Sequence, residues 1–219
     1  MIVIGLDIGT TSISGLAADL ETGAVIESAT IPNDSRIRSD HEWESCQDPE
    51  KIWSLAAGLL DRLIDAHAPV AAIGLTGQMH GIVYLDQDGQ AVSPLYTWQD
   101  QRGSLPDSSG VSAAEQLART TGCFLAAGYG SATHAYNCRQ HLVPNRACCF
   151  TTIQDYLGLR LTRRRKPLVH ASNAASFGLY ALTEGRFDLS ALRKAGLDAS
   201  FFPETTNETL LLGYYRKGN

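Results

Sequence analysis

Apolar residues fall into short runs over the first thirty positions, in a pattern typical of β-strands. Residues 2–8 are β-branched and apolar and lead directly into a Gly-Thr-Thr-Ser turn. Two further runs follow at 13–20 and 24–29, separated by a turn signal at 21–23. Strands joined by such tight turns predict an antiparallel three-stranded meander.

A helix is predicted after the meander. Asp48 as N-cap, Pro49 at the first helical position and Glu50 in the first turn mark its start. The apolar residues that follow at helical spacing predict its buried stripe: Ile52, Leu55, Leu59, Leu63 and Ile64. The continuous apolar run at 70–75 then predicts a strand that is buried on both faces and parallel to a neighbour.

The second half of the chain alternates turn signals with helical patterns. Residues 82–85 and 91–92, joined by the turn Asp86-Gln87-Asp88-Gly89, predict a hairpin. The remaining elements are a short strand at 147–152 and helices at 112–120, 133–142, 153–161 and 188–196, the last with Asp188 as N-cap and Gly196 near its C-cap. This order of elements predicts an α/β fold with a mixed sheet.

Composition and charge exclude several classes of protein. The 219 residues are 44% hydrophobic and 19% charged, as in ordinary globular domains. This length fits either one large domain or the first domain of something longer. The net charge of −5 argues against a basic surface for binding nucleic acid. We interpret the one basic run, 163–166, as a solvated loop after a helix rather than a polyanion site.

Cysteine usage and hydropathy predict a cytoplasmic protein. The five cysteines are odd in number and have no C-x-x-C spacing, which argues against a disulfide framework and a zinc site. The N-terminus lacks the basic region and the long apolar stretch of a signal peptide. No segment approaches the roughly 18 apolar residues of a membrane span. We therefore expect reduced thiols and no membrane partner.

The first strand ends in a carboxylate, a glycine and three hydroxyls: Asp7, Gly9, Thr10, Thr11 and Ser12. Glycine lets the backbone approach an anion closely, and successive N–H groups and hydroxyls bind phosphoryl oxygens. Because Asp7 repels a bare phosphate, the pattern indicates Mg²⁺ between them. An ordinary hairpin turn is the alternative, although it has no need of the carboxylate. There is no P-loop sequence.

A second polar loop follows the apolar strand at 70–75. Open α/β sheets bind ligands beyond the carboxyl ends of their strands. Gln78 and His80 can exchange hydrogen bonds with a polyol, and Met79 offers an adaptable apolar contact. A lone histidine at a strand end is more often structural, so this loop alone does not decide the function.

Together these motifs resemble the FGGY-type carbohydrate kinases. The first turn resembles the first phosphate motif of the actin, heat-shock ATPase and sugar-kinase superfamily. Residues 76–81, TGQMHG, resemble the sugar-contacting loop of xylulokinase- and sedoheptulokinase-like members. Residues 96–102 resemble the family's W-x-D-x-R segment, and residues 48–50 with Trp53 resemble its helix opening. Further similar strings cover nearly the whole chain, at 121–122, 128–133, 155–157, 170–176 and 202–204.

The resemblance implies a fold and a set of site residues. The implied fold is an α/β, ribonuclease H-like domain of the actin/hexokinase superfamily. It has a mixed five-stranded sheet flanked by helices, with an inserted hairpin and inserted helices. Residues 1–219 would form a single N-terminal, sugar-binding domain. The implied site has Asp7 at the metal, Gly9, Thr10, Thr11 and Ser12 at phosphate, and Gln78, Met79, His80, Asp100 and Tyr129 at the substrate.

Two residues of the W-x-D-x-R segment have open alternatives. Asp100 and Arg102 form either a sugar contact or a structural ion pair that shapes the loop. Trp98 is interpreted as a core aromatic rather than a stacking platform.

Members of the family hold ATP and Mg²⁺ between two domains. Their general base is an aspartate in a Gly-Asp-Asn or Gly-Asp-Gln turn at the start of the second domain. This sequence has no such turn, its one Gly-Asn being the final dipeptide Gly218-Asn219. We therefore expect no catalytic residue in this chain, and expect the C-terminal ATP-binding domain to be absent from it.

The complete protein is predicted to be an ATP-dependent kinase of a ketose or polyol, with this chain inactive alone because phosphoryl transfer needs both substrates in a closed site. A non-catalytic sugar-binding or regulatory module is the alternative. An actin-like ATPase is remote, because those proteins lack a loop like TGQMHG. A missing domain would expose an apolar face, so a homodimer is also possible.

Overall fold

The computed structural model describes residues 1–215 and 217, so Gly218 and Asn219 lie outside the described residues. Its helices are α1 (Pro49–His67), α2 (Ala113–Thr121), α3 (Gly130–Arg139), α4 (Ile153–Thr162), α5 (Ala171–Ala174) and α6 (Leu189–Ala195). Its strands are β1 (Ile2–Ile8), β2 (Ser12–Asp19), β3 (Ala24–Pro32), β4 (Arg36–Ile37), β5 (Cys46–Gln47), β6 (Val70–Gly77), β7 (Val83–Leu85), β8 (Leu95–Tyr96), β9 (Cys149–Thr151), β10 (Leu168–His170), β11 (Tyr180–Ala181), β12 (Arg186–Phe187) and β13 (Glu204–Thr206).

The main sheet has the strand order β3-β2-β1-β6. The first three strands are antiparallel neighbours and β6 runs parallel to β1, which confirms the predicted meander and mixed sheet. Five strands were expected, but this sheet has four in the described chain. After β6 the chain turns at His80, whose φ is 70°, and β7 pairs with β9 in a separate sheet.

One face of the main sheet packs on a core, and the other is open. Buried Ile4, Leu6 and Ile8 of β1 face α1 and α4 in one hydrophobic cluster. The prediction that residues 70–75 are buried on both faces was wrong, because Ala72 and Gly74 of β6 are exposed on the open side. A groove of about 350 Å³ crosses that side. The surface of this groove is mostly apolar, and the homodimer stays a prediction.

Local sequence signals explain the helix ends. The Asp48 side chain accepts hydrogen bonds from the N–H groups of Glu50 and Lys51 at 2.9 and 3.1 Å, so α1 begins where expected. Asp188 likewise caps α6, and Gly196 ends it with φ of 69°. In the predicted stripe of α1, Ile52, Leu59 and Leu63 are buried, whereas Leu55 and Ile64 are partly buried.

The hairpin at 82–92 is only partly formed. Leu85 bridges Ala91, but the fully buried strand β7 makes its ladder with β9, which comes from much later in the chain. Burial explains the choice, because β9 brings Phe150 into the core beside Tyr84. The hairpin prediction was therefore right about the turn and wrong about the main partner strand.

A second, aromatic core supports α3 and α6. Phe150, Phe177, Phe187 and Phe202 pack mostly edge to face, with ring centroids of neighbouring pairs 4.9–6.3 Å apart. This core holds the start of α3, where Tyr129 lies. Within residues 1–215 and 217, no helix is long and apolar enough to cross a membrane. The five cysteines are free thiols.

Candidate functional site at the ends of two parallel strands

A cavity of about 320 Å³ opens where β1 and β6 end. Because the two strands are parallel neighbours, with Asp7 opposite Thr76 and Ile8 opposite Gly77, the loops that follow them meet at one edge of the sheet. The cavity is lined by Asp7, Gly9, Thr10, Gly77, Gln78, Met79, His80 and Trp98. The two motifs singled out in the sequence therefore share one cavity.

The turn after β1 depends on a glycine. A Cβ atom at Gly9 would lie 2.8 Å from the carbonyl oxygen of Ser12, closer than real Cβ contacts allow. The carbonyl of Gly9 in turn accepts a hydrogen bond from the side-chain amide of Asn33 at 2.8 Å. The bend is thus anchored to the following segment, and Asp7 remains exposed beside it.

Four polar side chains connect the two loops. The hydroxyl of Thr10 donates to Gln78 Oε1 at 3.2 Å and accepts from Trp98 Nε1 at 3.0 Å. Gln78 Nε2 donates to Gln47 Oε1, and Gln47 Nε2 donates to the carbonyl of Thr10, both at 2.8 Å. Gln78 is only 9% exposed. In this structure Thr10 and Gln78 hold the cavity wall together through their side chains.

Trp98 lies at the cavity and not in the core. Its side chain is 47% exposed, so the core interpretation was wrong. The loop that carries it is pressed against Gly128, where a Cβ atom would lie 1.9 Å from the Trp98 carbonyl oxygen. Sequence reasoning missed this placement because it is set by the contact between two loops thirty residues apart.

His80 is held from two sides. The backbone N–H of His80 donates to Ser176 Oγ at 3.0 Å, and the ring nitrogen Nδ1 lies 2.7 Å from the carbonyl oxygen of Ser176. The imidazole stacks on Tyr129, with ring centroids 4.4 Å apart and an interplanar angle of 5°. Tyr129 therefore reaches the site through His80. Neighbouring Met79 is 45% exposed at the cavity.

Asp100 is not brought to the cavity. It is completely buried and accepts hydrogen bonds from the N–H of Ser45 at 2.9 Å and from Arg102 Nε and Nη2 at 2.7 and 3.1 Å. Arg102, itself 2% exposed, lies over the ring of Tyr96 at 4.1 Å. The geometry favours the structural ion pair over the sugar contact.

Thr11 and Ser12 lie beside the cavity and do not line it. Thr11 is exposed and Ser12 half-buried. Among the hydrogen bonds of the described chain, none involves the hydroxyl of either residue, so both remain available for a ligand. No group of three or more His, Cys, Asp or Glu side chains suited to a metal occurs in residues 1–215 and 217. Asp7 is the one carboxylate in the lining.

A polar network lies behind His80. Ser176 Oγ donates to the carbonyl of Asn173 at 2.7 Å, and Asn173 Nδ2 donates to Asp155 Oδ2 at 2.5 Å. Thr152 also donates to Asp155 Oδ2, at 2.6 Å. Burial raises the pKa of Asp155 to about 6. The sequence indicated no role for any of these residues, because their link to His80 exists only in the fold.

Residues 2–218 match the sequence profile of the FGGY family of carbohydrate kinases, N-terminal domain. Since the match covers almost the whole chain, the chain belongs to this family, as the motifs predicted.

Relatives with assigned activities include xylulose kinases, a sedoheptulokinase and glycerol kinases. A xylulose kinase from Streptomyces coelicolor is 27% identical over 224 residues, covering 100% of this chain and 45% of that protein. A sedoheptulokinase from Mus musculus is 28% identical, covering 97% of this chain and 48% of that protein. The crystal structure of a xylulose kinase from Rhodospirillum rubrum shares the fold, with a TM-score of 0.79 at 22% identity over 99% of this chain and 45% of that chain. The chain spans about half the length of the curated relatives it matches.

Proposed function

We propose that the chain is the sugar-binding part of an ATP-dependent kinase that phosphorylates a ketose or a polyol. The observation that carries the proposal is the shared cavity, which Asp7 lines from the end of β1 and Met79 and His80 line from the end of β6. A phosphoryl acceptor and a phosphate-binding turn must lie this close for in-line transfer.

The sugar side combines apolar and polar groups. Trp98 and Met79 present exposed apolar surface to the cavity, suited to the C–H groups of a sugar. His80 presents a ring nitrogen to the hydroxyl groups. Gln78 contributes indirectly, because its hydrogen bond with Thr10 stabilises the cavity wall, and Tyr129 contributes by stacking on the His80 ring. The cavity is large enough for a small carbohydrate.

The phosphate side consists of Gly9, Thr11, Ser12 and Asp7. With the Thr10 hydroxyl engaged inside the protein, phosphoryl oxygens would meet backbone N–H groups and the hydroxyls of Thr11 and Ser12. A single exposed carboxylate fits Mg²⁺, which keeps several waters and is shared with substrate phosphates. Bound there, Mg²⁺ would neutralise charge on the transferring phosphoryl group. We place the general base outside this cavity, since Asp7, which we assign to Mg²⁺, is the one carboxylate in its lining.

We further propose a ribonuclease H-like fold for residues 1–219 as a single domain. Three antiparallel strands followed by a helix and a strand parallel to β1 support this assignment. The outer edge of β6 has no strand partner among the described residues and is the place for the expected fifth strand.

Titration of the chain with D-xylulose and with glycerol, followed by NMR, tests the sugar site. We expect signals of Met79 and His80 and the indole signal of Trp98 to shift, and His80→Asn to abolish the response. The matched control His41→Asn changes an exposed histidine in a loop outside the cavity lining and should leave it intact. Shifts confined to other residues would refute the site.

A coupled assay with MgATP tests the prediction that this chain alone is inactive. Turnover of D-xylulose well above the blank would overturn that prediction. Tight sugar binding without turnover would instead favour the alternative, a non-catalytic sugar-binding module, because an open half-site should bind weakly.

A further inference from the structure

We propose that Ser176 is a positioning residue that determines which imidazole nitrogen of His80 meets the substrate. Ser176 contacts His80 through two atoms. Its Oγ accepts a hydrogen bond from the backbone N–H of His80 at 3.0 Å, and its carbonyl oxygen lies 2.7 Å from the ring nitrogen Nδ1. The role of His80 in sugar recognition rests on the proposed function, whereas the tautomer of its imidazole does not.

The backbone of His80 needs this support. Its φ of 70° lies in the left-handed region, which is uncommon for a residue with a side chain. The hydroxyl of Ser176 donates its own hydrogen to the carbonyl of Asn173 at 2.7 Å, so its lone pairs are left to face the His80 N–H. Ser176 is 6% exposed, which removes water as a substitute acceptor.

The second contact determines the tautomer. A backbone carbonyl can only accept, so the hydrogen of the neutral imidazole must be on Nδ1. Nε2 then carries a lone pair and has no hydrogen-bond partner among the described residues. The flat stacking on Tyr129 occupies one face of the ring and leaves its edge free. His80 therefore presents an acceptor to the cavity.

An acceptor at this point selects among substrates. It accepts a hydrogen bond from a sugar hydroxyl, whereas a ketone or ether oxygen at the same position would face a lone pair. A polar group of the site that a bound ligand covers and leaves unpaired discriminates strongly between analogues. We infer that the substrate places a hydroxyl group, and no carbonyl, against His80.

The tautomer of His80 can be measured by NMR in the absence of sugar. In ¹⁵N-labelled chain, with the His80 ring assigned through His80→Gln, long-range ¹H–¹⁵N spectra above the titration range should show Nδ1 protonated and Nε2 unprotonated. Ser176→Ala should speed exchange of the His80 amide by about fivefold to tenfold. The Ser176 carbonyl is retained in this variant, but without the hydroxyl the His80 backbone is no longer held at its φ of 70°. Part of the population should therefore lose the contact between Nδ1 and that carbonyl and show the Nε2–H tautomer. Ser176→Thr keeps the hydroxyl and should restore both signatures.

Ser172→Ala is the matched control, because Ser172 lies on the same short segment but hydrogen-bonds to His170 and not to His80. This variant should change neither the exchange of the His80 amide nor the tautomer of the His80 ring. An Nε2–H tautomer in the wild-type chain overturns the proposal, even if Ser176→Ala does not fold. Unchanged amide exchange and tautomer in a folded Ser176→Ala also overturn it.

Sugar binding is then measured separately with D-xylulose. If the wild-type chain shows the Nδ1–H tautomer but no response to sugar, the proposed function fails and the assignment of the ring stands. If the wild-type chain binds and Ser176→Ala binds equally well, the positioning role fails.

Discussion

Replacement of Asp100 by alanine distinguishes a structural ion pair from a sugar contact. Asp100 is completely buried, and the side chain of its partner Arg102 is 3% exposed. Asp100→Ala removes two hydrogen bonds to the guanidinium, at 2.7 and 3.1 Å, and one to each of the backbone N–H groups of Ser45 and Arg102. The buried positive charge and the two N–H groups therefore lose their shared acceptor together.

Breaking a buried ion pair by removing one member costs about 3–5 kcal/mol, because the remaining charge stays desolvated. Arg102 retains Glu44 and Asn137, each at 3.1 Å, and the ring of Tyr96. These contacts place the expected loss near the lower end, at about 3 kcal/mol. For a domain of this size such a loss lowers Tm by about 6–12 °C.

Urea unfolding followed by tryptophan fluorescence measures the effect, with Trp43 reporting locally because it lies 5.7 Å from the Arg102 guanidinium. Asp88→Ala is the matched control. It removes an exposed aspartate, 57% accessible, that faces Arg165 at 3.8 Å, and it should change the free energy of unfolding by less than about 0.5 kcal/mol. If Asp100→Ala is as stable as this control but no longer responds to D-xylulose, the ion-pair reasoning is wrong and Asp100 contacts sugar.

Three further substitutions test local features of the fold. The pKa of Asp155, about 6 against an ordinary 3.8, means that the native state holds its proton more tightly than the unfolded chain. This contribution to stability is present below pH 3.8 and is lost as pH rises through 6. It amounts to at most about 3 kcal/mol, from the difference between 6 and 3.8 at 1.36 kcal/mol per pKa unit. Asp155→Asn should therefore flatten the fall in urea midpoint between pH 4.5 and 7, and an unchanged slope contradicts the assignment. Gly58→Ala, in an exposed turn of α1 with open space around the added methyl group, should raise the free energy of unfolding by about 0.5–1 kcal/mol; a loss would show the space is not open. Gly128→Ala, which drives a methyl group into the Trp98 carbonyl, should lower it by about 1–3 kcal/mol and shift the Trp98 indole signal, whereas a silent substitution would show that the two loops do not pack as described.

The sequence by itself determined the elements that depend on near neighbours. The strands β1 and β2, the start of β3, the cap of Asp48 on α1 and the Asp188 and Gly196 ends of α6 all lie within a residue or two of their expected positions, whereas β3 runs three residues further than expected. Each is controlled by hydrogen bonds and steric preferences among residues a few positions apart, which the local sequence contains. The residues Asp7, Met79 and His80, which line one cavity, were singled out for the same reason, since each lies within three residues of the end of a recognisable strand.

Only the tertiary structure decided how these pieces contact one another. It placed Trp98 at the cavity, buried Asp100 with Arg102, and exposed one face of β6. It also brought Ser176 to His80 across 96 positions of the chain. Such contacts are chosen by the packing of whole layers and by which loops close against each other, so no local pattern encodes them. The chemistry of the site can be read from short strings of residues, but its geometry depends on the assembled fold.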